Sequence, residues 1–291
     1  MRLTVFTPTY NRRELLTRAY ESLKAQTVKD FEWLIVDDGS TDDTKETAEK
    51  WAREGVITIR YRYRENGGKM RAHNTGTALS ECDLFVCLDS DDVFVPTAVE
   101  ELLAAYDKAK EEESGGRRIG GVVAHKGCTS EKLLGSKDFP PIKTSTLFGL
   151  YLNGFEGETT LMYETALLRQ FPFPEIEGEK YVPEDYIYDK IDEVCVLAVL
   201  PRVITVCEIV EGGYTKEAKA LRKNNANAFY LFYEQRARIT PSSLLKFKYL
   251  GRYVIYARRT RHRVFSDNGI GKAWIAAGCV YAAILLVMNK E

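Results

Sequence analysis

Three carboxylates follow a short apolar segment near residue 90, and they are the sequence's clearest candidates for chemistry. The segment LFVCL at residues 84–88 is followed by Asp89, Asp91 and Asp92. Residues two apart on an extended chain point the same way, so Asp89 and Asp91 can face one ligand while Asp92 begins a turn. Carboxylate oxygens suit Mg²⁺ or Mn²⁺, which complete their coordination with water and substrate phosphates. The pattern predicts a divalent-cation site, and the alternative is a solvated acidic turn that caps the next helix.

A second acidic pair ends another apolar segment, in the sequence WLIVDDGSTDDT. Asp37 and Asp38 come at the end of the apolar stretch, and the glycine and serine after them supply a tight turn. A carboxylate at this point can accept hydrogen bonds from a base N–H or a ribose hydroxyl. We therefore expect Asp38 to contact a ligand. The next residues would only cap the following helix, through Asp43 or Thr44.

A third polar loop is glycine-rich and basic, in the sequence ENGGKMRAHN. Gly67 and Gly68 precede Lys69 and Arg71 at the start of a predicted helix. Exposed backbone N–H groups and a helix N-terminus favour a phosphate nearby. The alternative is a basic helix start on the surface. We expect His73 to pack against neighbours rather than to bind a ligand.

Each of these polar stretches follows a predicted strand. Short apolar runs predict strands over residues 3–6, 33–36, 57–63 and 84–88, and amphipathic stretches between them predict helices over 13–25, 44–51 and 71–79. This alternation is typical of βαβ units around a mainly parallel sheet. Ligands bind at the carboxyl ends of such strands, so the polar loops should gather at one edge.

Four motifs in this order, FTPTYNR, IVDDGSTDDT, ENGGKMRAHNTG and LDSDD, resemble those of the bacterial family 2 glycosyltransferases. The resemblance covers the N-terminal third closely. It implies the GT-A fold, an α/β, Rossmann-like nucleotide-diphospho-sugar transferase fold with a mainly parallel central sheet, here followed by C-terminal helices. It also implies a metal-dependent, inverting transfer from a nucleotide-diphosphate sugar, UDP-sugars foremost, to an acceptor hydroxyl in cell-surface polysaccharide synthesis. The alternative is a nucleotide-sugar-binding protein of this fold without turnover.

The same resemblance implies roles for individual residues. Tyr10 and Asp38 would contact the base, and Asp89 would lie near the ribose. Asp91 would hold Mn²⁺ or Mg²⁺ under the diphosphate, with Asp92 assisting. The predicted donor site comprises Thr7, Pro8, Tyr10, Arg12, Asp38, Gly68, Lys69, Arg71, Asn74, Asp89 and Ser90, and the predicted metal ligands are Asp91, Asp89 and Asp92.

The later segment EGEKYVPEDYIYDKI resembles the acceptor side of these enzymes, where an acidic residue acts as general base. Counting back from Lys190 favours Glu184, whereas reading the acidic pair literally favours Asp185. We favour Glu184, although the family often has aspartate at this position. The alternative is that Pro183 and Glu184 are first-turn helix residues that only complement the helix dipole. The segment IVEGGYT resembles the stretch that closes the sugar site.

The charge of the chain is unevenly distributed. The formal net charge of the 291 residues is only −1, which argues against a polyanion-binding protein, yet residues 236–265 contain nine Lys or Arg and no Asp or Glu. This basic, aromatic segment would suit an anionic membrane surface. RNA contact ranks lower, and the alternative is a solvated basic face. The uncharged stretch 274–288 is shorter than the roughly 20 residues that span a bilayer.

These observations predict an organisation and a location. Residues 1–215 would form the catalytic domain, with a donor half at 1–95 and an acceptor half at 96–215, and residues 216–291 a helical extension that touches a membrane. The six cysteines show no CxxC spacing and are expected to be free, buried thiols. We therefore expect a cytoplasmic protein at the inner face of the plasma membrane. Its partners would be the donor and a glycan or lipid-linked acceptor, without nucleic acid.

Overall fold

A computed structural model describes residues 1–113, 116–207, 218–241, 243–265 and 269–288. The described residues form two compact units. The first comprises the described parts of 1–173 and 187–207, and the second those of 174–186 and 218–288. The predicted domain boundary at residue 215 and the IVEGGYT segment lie outside the described residues. The division into a catalytic domain and an extension therefore stays a prediction.

Strands and helices alternate along the first half of the chain, as the apolar pattern predicts. The strands are β1 (Leu3–Thr9), β2 (Phe31–Asp37), β3 (Thr58–Tyr63), β4 (Leu84–Cys87), β5 (Asp92–Phe94), β6 (Ile119–Gly127), β7 (Gly135–Lys137), β8 (Thr144–Ser145), β9 (Glu156–Gly157), β10 (Thr159–Glu164) and β11 (Val196–Cys207). The helices are α1 (Arg13–Lys24), α2 (Thr44–Glu54), α3 (Lys69–Leu79), α4 (Ala98–Glu111), α5 (Leu147–Leu152), α6 (Thr165–Gln170), α7 (Asp185–Ile191), α8 (Ala218–Asn224), α9 (Ala226–Ile239), α10 (Ser243–Arg259) and α11 (Lys272–Val287).

The large sheet has the strand order β3-β2-β1-β4-β10-β6-β11-β5, with β8 beside β11, while β7 and β9 form a separate pair. The four strands that carry the motifs are parallel throughout. β6 and β11 are also parallel, and β10 runs antiparallel to both of its neighbours. The predicted α/β architecture is confirmed, and the motif-bearing strands end at one edge.

β1 and β2 are covered on both faces, although each contains polar residues such as Thr4 and Glu32. Every residue of these two strands is buried, as is usual when helices cover both faces of a parallel sheet. On one side the rings of Tyr20, Trp33 and Trp51 stack, with centroids 4.4 to 6.0 Å apart. The helices thereby fix the strand ends from which the polar loops emerge.

The second unit is helical around an aromatic core. Its buried cluster includes Phe229, Tyr253 and Tyr256. The segment 174–186 is held to the start of α9 because the Glu179 carboxylate accepts hydrogen bonds from the backbone N–H groups of residues 227 and 228, both at 2.8 Å. The described part of the chain contains no helix that is long and apolar enough to cross a membrane.

The cysteine prediction is correct in one respect and wrong in another. All six thiols are free, as expected. Cys82 and Cys195 are buried, but Cys128 is exposed, because it lies at a turn after β6 rather than inside an apolar strand. The remaining three, Cys87, Cys207 and Cys279, are half-buried.

Candidate functional site

The loops after β1 and β2 are joined at the carboxyl edge of the sheet. The backbone N–H of Asn11 donates to Ser40 Oγ at 2.8 Å, and the N–H of Thr41 donates to Asn11 Oδ1 at 2.7 Å. Asn11 has a φ of +51°, a left-handed conformation that asparagine tolerates better than most residues. The loops that follow the two strands are thus joined to each other by hydrogen bonds.

The start of α2 differs from the prediction. The Asp43 side chain makes no capping hydrogen bond. Instead, the Asp42 carboxylate accepts from the Thr44 N–H at 3.2 Å and from its hydroxyl at 2.5 Å, and also from the N–H of Arg13 at 3.3 Å. Asp42 can reach both helix starts because the first two loops lie side by side.

The loops after β2 and β3 are joined through Asp38. Its buried carboxylate pairs with Arg64 and accepts from the N–H groups of Gly67, at 3.0 Å, and Gly68, at 2.7 Å. Gly68 has a φ of +97°, which few other residues adopt. The sequence predicts that these two glycine N–H groups face a phosphate. In the structure they donate hydrogen bonds to the Asp38 carboxylate instead.

The loops after β1 and β4 are joined by an ion pair. Arg12 Nη1 lies 2.9 Å from Asp91 Oδ2 and 3.4 Å from Ser90 Oγ. The Asp91 side chain keeps 22% of its surface exposed. A guanidinium and a carboxylate that both reach solvent at this edge could bind, respectively, a phosphate and a divalent cation.

Asp89 lies between two lysines. Lys69 Nζ is 2.7 Å from one of its carboxylate oxygens, and Lys126 Nζ is 3.4 Å from the other. Burial alone would raise the pKa of Asp89, but the two ammonium groups hold that pKa well below its usual range. Asp89 is therefore ionised, and its charge is offset by side chains of the protein.

Asp92 shares one of those lysines. Lys126 Nζ lies 2.7 Å from Asp92 Oδ2. Burial raises the pKa of Asp92, against the opposing effect of Lys126, and the two carboxylates raise the pKa of Lys126 although its burial would lower it. The motifs do not predict Lys126. Its only signal in the sequence is a cation that ends the apolar strand IGGVVAHKG.

The three aspartates are not brought together as one metal-binding group. Among the described residues, no cluster of three or more His, Cys, Asp or Glu side chains could hold a metal ion. Lysines engage Asp89 and Asp92, and Arg12 engages Asp91. Because Arg12 could instead bind a phosphate, Asp91 is the carboxylate best suited to a cation. Mg²⁺ is commonly held by one or two carboxylates together with substrate phosphates, and Asp91 fits that arrangement.

Two predicted donor-site residues have other partners. Thr7 is buried, and its hydroxyl accepts a hydrogen bond from Trp33 Nε1 at 2.9 Å. The Asn74 amide both donates to and accepts from the backbone of Phe173, each at 2.9 Å. These side-chain contacts tie elements of the first unit together.

The other predicted donor-site residues lie along the edge. Pro8 is buried within β1, opposite Val36 of β2. Tyr10 is 48% exposed, and Arg71 Nη1 donates to the carbonyl of Gly67 at 3.0 Å. An exposed aromatic ring just beyond β1 is free to stack on a planar ligand.

His73 packs against aromatic side chains, as predicted from the sequence. Its ring meets those of Phe6, Phe85 and Phe173 nearly edge-on, with centroids 5.1 to 5.6 Å apart. Burial, with a smaller contribution from the charge of Lys69, lowers the pKa of His73 to about 3. The imidazole is therefore neutral under ordinary conditions.

The two candidates for the general base belong to the described part of the second unit. Asp185 begins α7, and its carboxylate lies 2.8 Å from Nη2 of Arg236, a buried residue of α9. Burial raises the pKa of Asp185, Arg236 opposes that rise, and the charge of Glu184 adds to it. A carboxyl group with a raised pKa is a better proton acceptor than an ordinary aspartate.

Comparison with known proteins identifies relatives of the first unit. Residues 4–152 match the model of Glycosyl transferase family 2. The validoxylamine A glucosyltransferase of Streptomyces hygroscopicus subsp. jinggangensis is 37% identical over 108 residues, which make up 36% of this chain and 25% of that protein. In the first curated relatives, the matched segments span only 33%, 16% and 25% of their lengths.

Solved structures share the fold at lower identity. S. aureus TarS 1-349 in complex with UDP-GlcNAc has a TM-score of 0.65 and 19% identity, over 89% of this chain and 73% of that one. The mannosyltransferase PcManGT from Pyrobaculum calidifontis, in complex with GDP-Man and Mn²⁺, has a TM-score of 0.54 and 19% identity, over 98% and 80% of the two chains. These likenesses confirm the predicted GT-A fold.

Proposed function

Because the chain belongs to glycosyl transferase family 2, we propose that it transfers a sugar from a nucleotide-diphosphate donor to an acceptor hydroxyl, with inversion. The observation that carries the proposal is the linkage of four loops at one sheet edge. Arg12 pairs with Asp91, and Lys69 pairs with Asp89. Such an edge offers cations for a diphosphate and a carboxylate for a metal.

The donor in this proposal is a UDP-sugar. The structure of TarS with UDP-GlcNAc supports the choice by fold alone. Tyr10 would stack on the base, and Asp38, already held by Arg64, would accept a hydrogen bond from it. Arg12, Lys69 and Arg71 would contact the diphosphate. Neutralisation by fixed cations helps a doubly charged group to leave.

A divalent cation, Mn²⁺ or Mg²⁺, would be held by Asp91 together with donor phosphate oxygens. Bound there, it would offset the negative charge that develops on the departing nucleoside diphosphate. Asp89 and Asp92 would act indirectly, because Lys126 and Lys69 engage them. PcManGT in complex with GDP-Man and Mn²⁺ supports the use of a metal within this fold.

The chemical step needs one base from the chain. The acceptor oxygen attacks the anomeric carbon and gives up its proton to a carboxylate, while the bond from that carbon to the diphosphate oxygen breaks. We assign the base to Asp185 rather than to Glu184. The raised pKa of Asp185 supports this choice, since a base works best when its pKa approaches the working pH. The ion pair with Arg236 orients the carboxylate, although it opposes the rise in pKa.

The acceptor and the setting belong to the same proposal. The acceptor would be a glycan or a lipid-linked glycan of cell-surface polysaccharide synthesis. The enzyme would work at the inner face of the plasma membrane, in contact with it through the basic C-terminal segment.

Turnover with a panel of nucleotide sugars tests the proposal. Purified protein with Mn²⁺ should release nucleoside diphosphate from at least one UDP-sugar, and Asp185→Asn should reduce the rate by about a hundredfold or more. Asp107→Asn, which alters an exposed ion pair with Arg2, is the matched control. If the protein binds a nucleotide sugar but releases no nucleoside diphosphate, it is a nucleotide-sugar-binding protein without turnover. Full activity in Asp185→Asn would exclude Asp185 as the base.

A further inference from the structure

α11 presents an apolar face to solvent. The exposed residues recur at helical spacing on one side of the helix, and no charged residue occurs between 273 and 288. Val280 is 65% exposed and Val287 is 87% exposed. We define the α11 apolar face as Ala273, Ala276, Val280, Ala283, Ile284 and Val287. A face of this length, about 21 Å at 1.5 Å per residue, is unusual on the surface of a water-soluble helix.

The opposite side of α11 packs closely on α10. A Cβ added to Gly278 would lie 2.9 Å from Leu250 Cβ, and one added to Gly251 would lie 2.5 Å from the Tyr281 ring. Phe247 meets Trp274 at the start of α11. These contacts follow the same order along both helices, so α10 and α11 run parallel, and the exposed face is the one that α10 leaves uncovered.

The helices that carry this face are strongly basic. Described residues 243–265 and 269–288 contain no Asp or Glu. They contain eight Lys or Arg, namely Lys246, Lys248, Arg252, Arg258, Arg259, Arg261, Arg263 and Lys272. Positive charge beside an apolar helix face is the combination that an anionic lipid surface attracts.

Trp274 marks one end of the face. Its ring is 36% exposed, and Lys246 Nζ lies 5.6 Å from the ring centroid. A tryptophan beside a lysine is typical of side chains that sit at lipid headgroups, because the ring is amphipathic and the ammonium reaches phosphate.

We propose that the α11 apolar face and the cations around it form a docking surface for an anionic phospholipid membrane. α11 lies along the bilayer with this face among the upper acyl chains, while the arginines at the end of α10 contact the headgroup phosphates. The inference rests on the membrane contact in the proposed function and is independent of the donor chemistry.

Two other occupants fit this surface less well than a membrane does. A second copy of the chain, packed about a two-fold axis, would bring the same basic helices together, and described residues 243–265 and 269–288 contain no carboxylate side chain to offset their repulsion. RNA would satisfy the cations but would leave the aliphatic side chains in water, since nucleic acids are bound by cations and by stacking aromatic rings. An anionic bilayer satisfies both features.

Tryptophan fluorescence can report the docking directly. The chain has three tryptophans, and Trp33 and Trp51 are buried in the first unit. With vesicles of phosphatidylglycerol and phosphatidylcholine in equal parts, emission should shift to the blue, and brominated lipid should quench it. The protein should bind vesicles of phosphatidylcholine alone with an affinity that is lower by about tenfold or more.

Two variants separate the contributions. Replacing Val280, Ile284 and Val287 together by Gln should reduce vesicle binding by about tenfold or more, and so should replacing Arg258, Arg259 and Arg261 by Gln. The control is Val56→Gln with Val194→Gln, because both valines are exposed in the first unit. If the triple aliphatic variant does not fold, Val287→Lys at the helix end replaces it.

Three outcomes would overturn the inference. Unchanged binding in the aliphatic variant would show that the surface is purely a polyanion site, such as one for RNA. Equal binding to both kinds of vesicle would remove the role of the cations. A dimer in light scattering that the aliphatic variant abolishes, without vesicle binding by the wild type, would identify a second copy as the occupant.

Discussion

Lys126 and Asp92 form an ion pair at the centre of the acidic motif, with Nζ 2.7 Å from Oδ2. β6 carries the lysine, and the aspartate begins β5, so the pair joins strands that are not adjacent in the sheet. The same ammonium group lies 3.4 Å from Asp89. One lysine therefore offsets two of the three carboxylates, whereas Asp91 pairs with Arg12 of the loop after β1.

Lys126→Met should destabilise the protein. The substitution leaves Asp89 and Asp92 without their shared cation, and an unpaired buried charge costs about 2 kcal/mol or more of the free energy of unfolding. Lys126→Arg, which keeps the positive charge, should lose less of the free energy of unfolding. Urea denaturation measures the difference, with Lys137→Met as the control, because Lys137 pairs with an exposed glutamate. Equal stability in Lys126→Met and wild type would contradict this account of the motif.

Asn74→Ala tests whether Asn74 binds the donor, as the sequence predicts, or mainly stabilises the fold through its hydrogen bonds to Phe173. Loss of the two hydrogen bonds to the Phe173 backbone should lower the free energy of unfolding by about 1–3 kcal/mol. The affinity of the folded variant for UDP should change little. Calorimetric titration below the melting transition separates the two effects. If the variant is as stable as wild type but no longer binds UDP, Asn74 is a donor-binding residue.

His73 should make stability depend on pH. Its pKa falls from 6.5 to about 3 on folding, so between these values the unfolded chain binds more protons than the native protein. Stability therefore rises with pH across this window and is lost as pH falls through it, with a slope of at most about 1.4 kcal/mol per pH unit. His73→Phe should reduce that slope. Phe85→Leu, in the same cluster, should lower the free energy of unfolding at every pH without changing its dependence on pH. Parallel curves for His73→Phe and wild type would contradict the assignment.

Two substitutions around Asp185 should shift the acid side of the rate profile in opposite directions. Arg236 lowers the pKa of Asp185 and Glu184 raises it. Arg236→Met should therefore move the midpoint of kcat/KM to higher pH, and Arg236→Lys should move it less. Glu184→Gln should move it to lower pH while activity persists. If Glu184→Gln instead abolishes turnover, Glu184 is the base.

The sequence predicts the donor half of the fold well, because its signals are local. Apolar runs locate β1, β2, β3 and β4 to within a few residues, and turn residues after each run locate the loops. The carboxyl ends of parallel strands lie at one edge, so the gathering of the polar loops there follows from the alternation of strands and helices.

The partners of individual polar side chains are less predictable, since they depend on distant parts of the chain. Asn74 is bound by a residue 99 positions later, and Lys126 reaches Asp92 across 34 positions. Periodicity distinguishes buried from exposed faces, but it does not indicate which donor meets which acceptor. The acidic motif therefore reads as three equivalent carboxylates, although the fold gives them different partners.

Calorimetric titration of UDP with and without Mn²⁺, on wild type and on Asp91→Asn, tests the central claim most directly. Asp91 pairs with Arg12 rather than with Lys69 or Lys126. In the proposed site Arg12 contacts the diphosphate and Asp91 holds the metal, so Mn²⁺ should increase the affinity of wild type for UDP by about tenfold or more. Asp91→Asn should bind UDP with or without Mn²⁺ equally. An undiminished effect of Mn²⁺ in Asp91→Asn would contradict the proposed donor site.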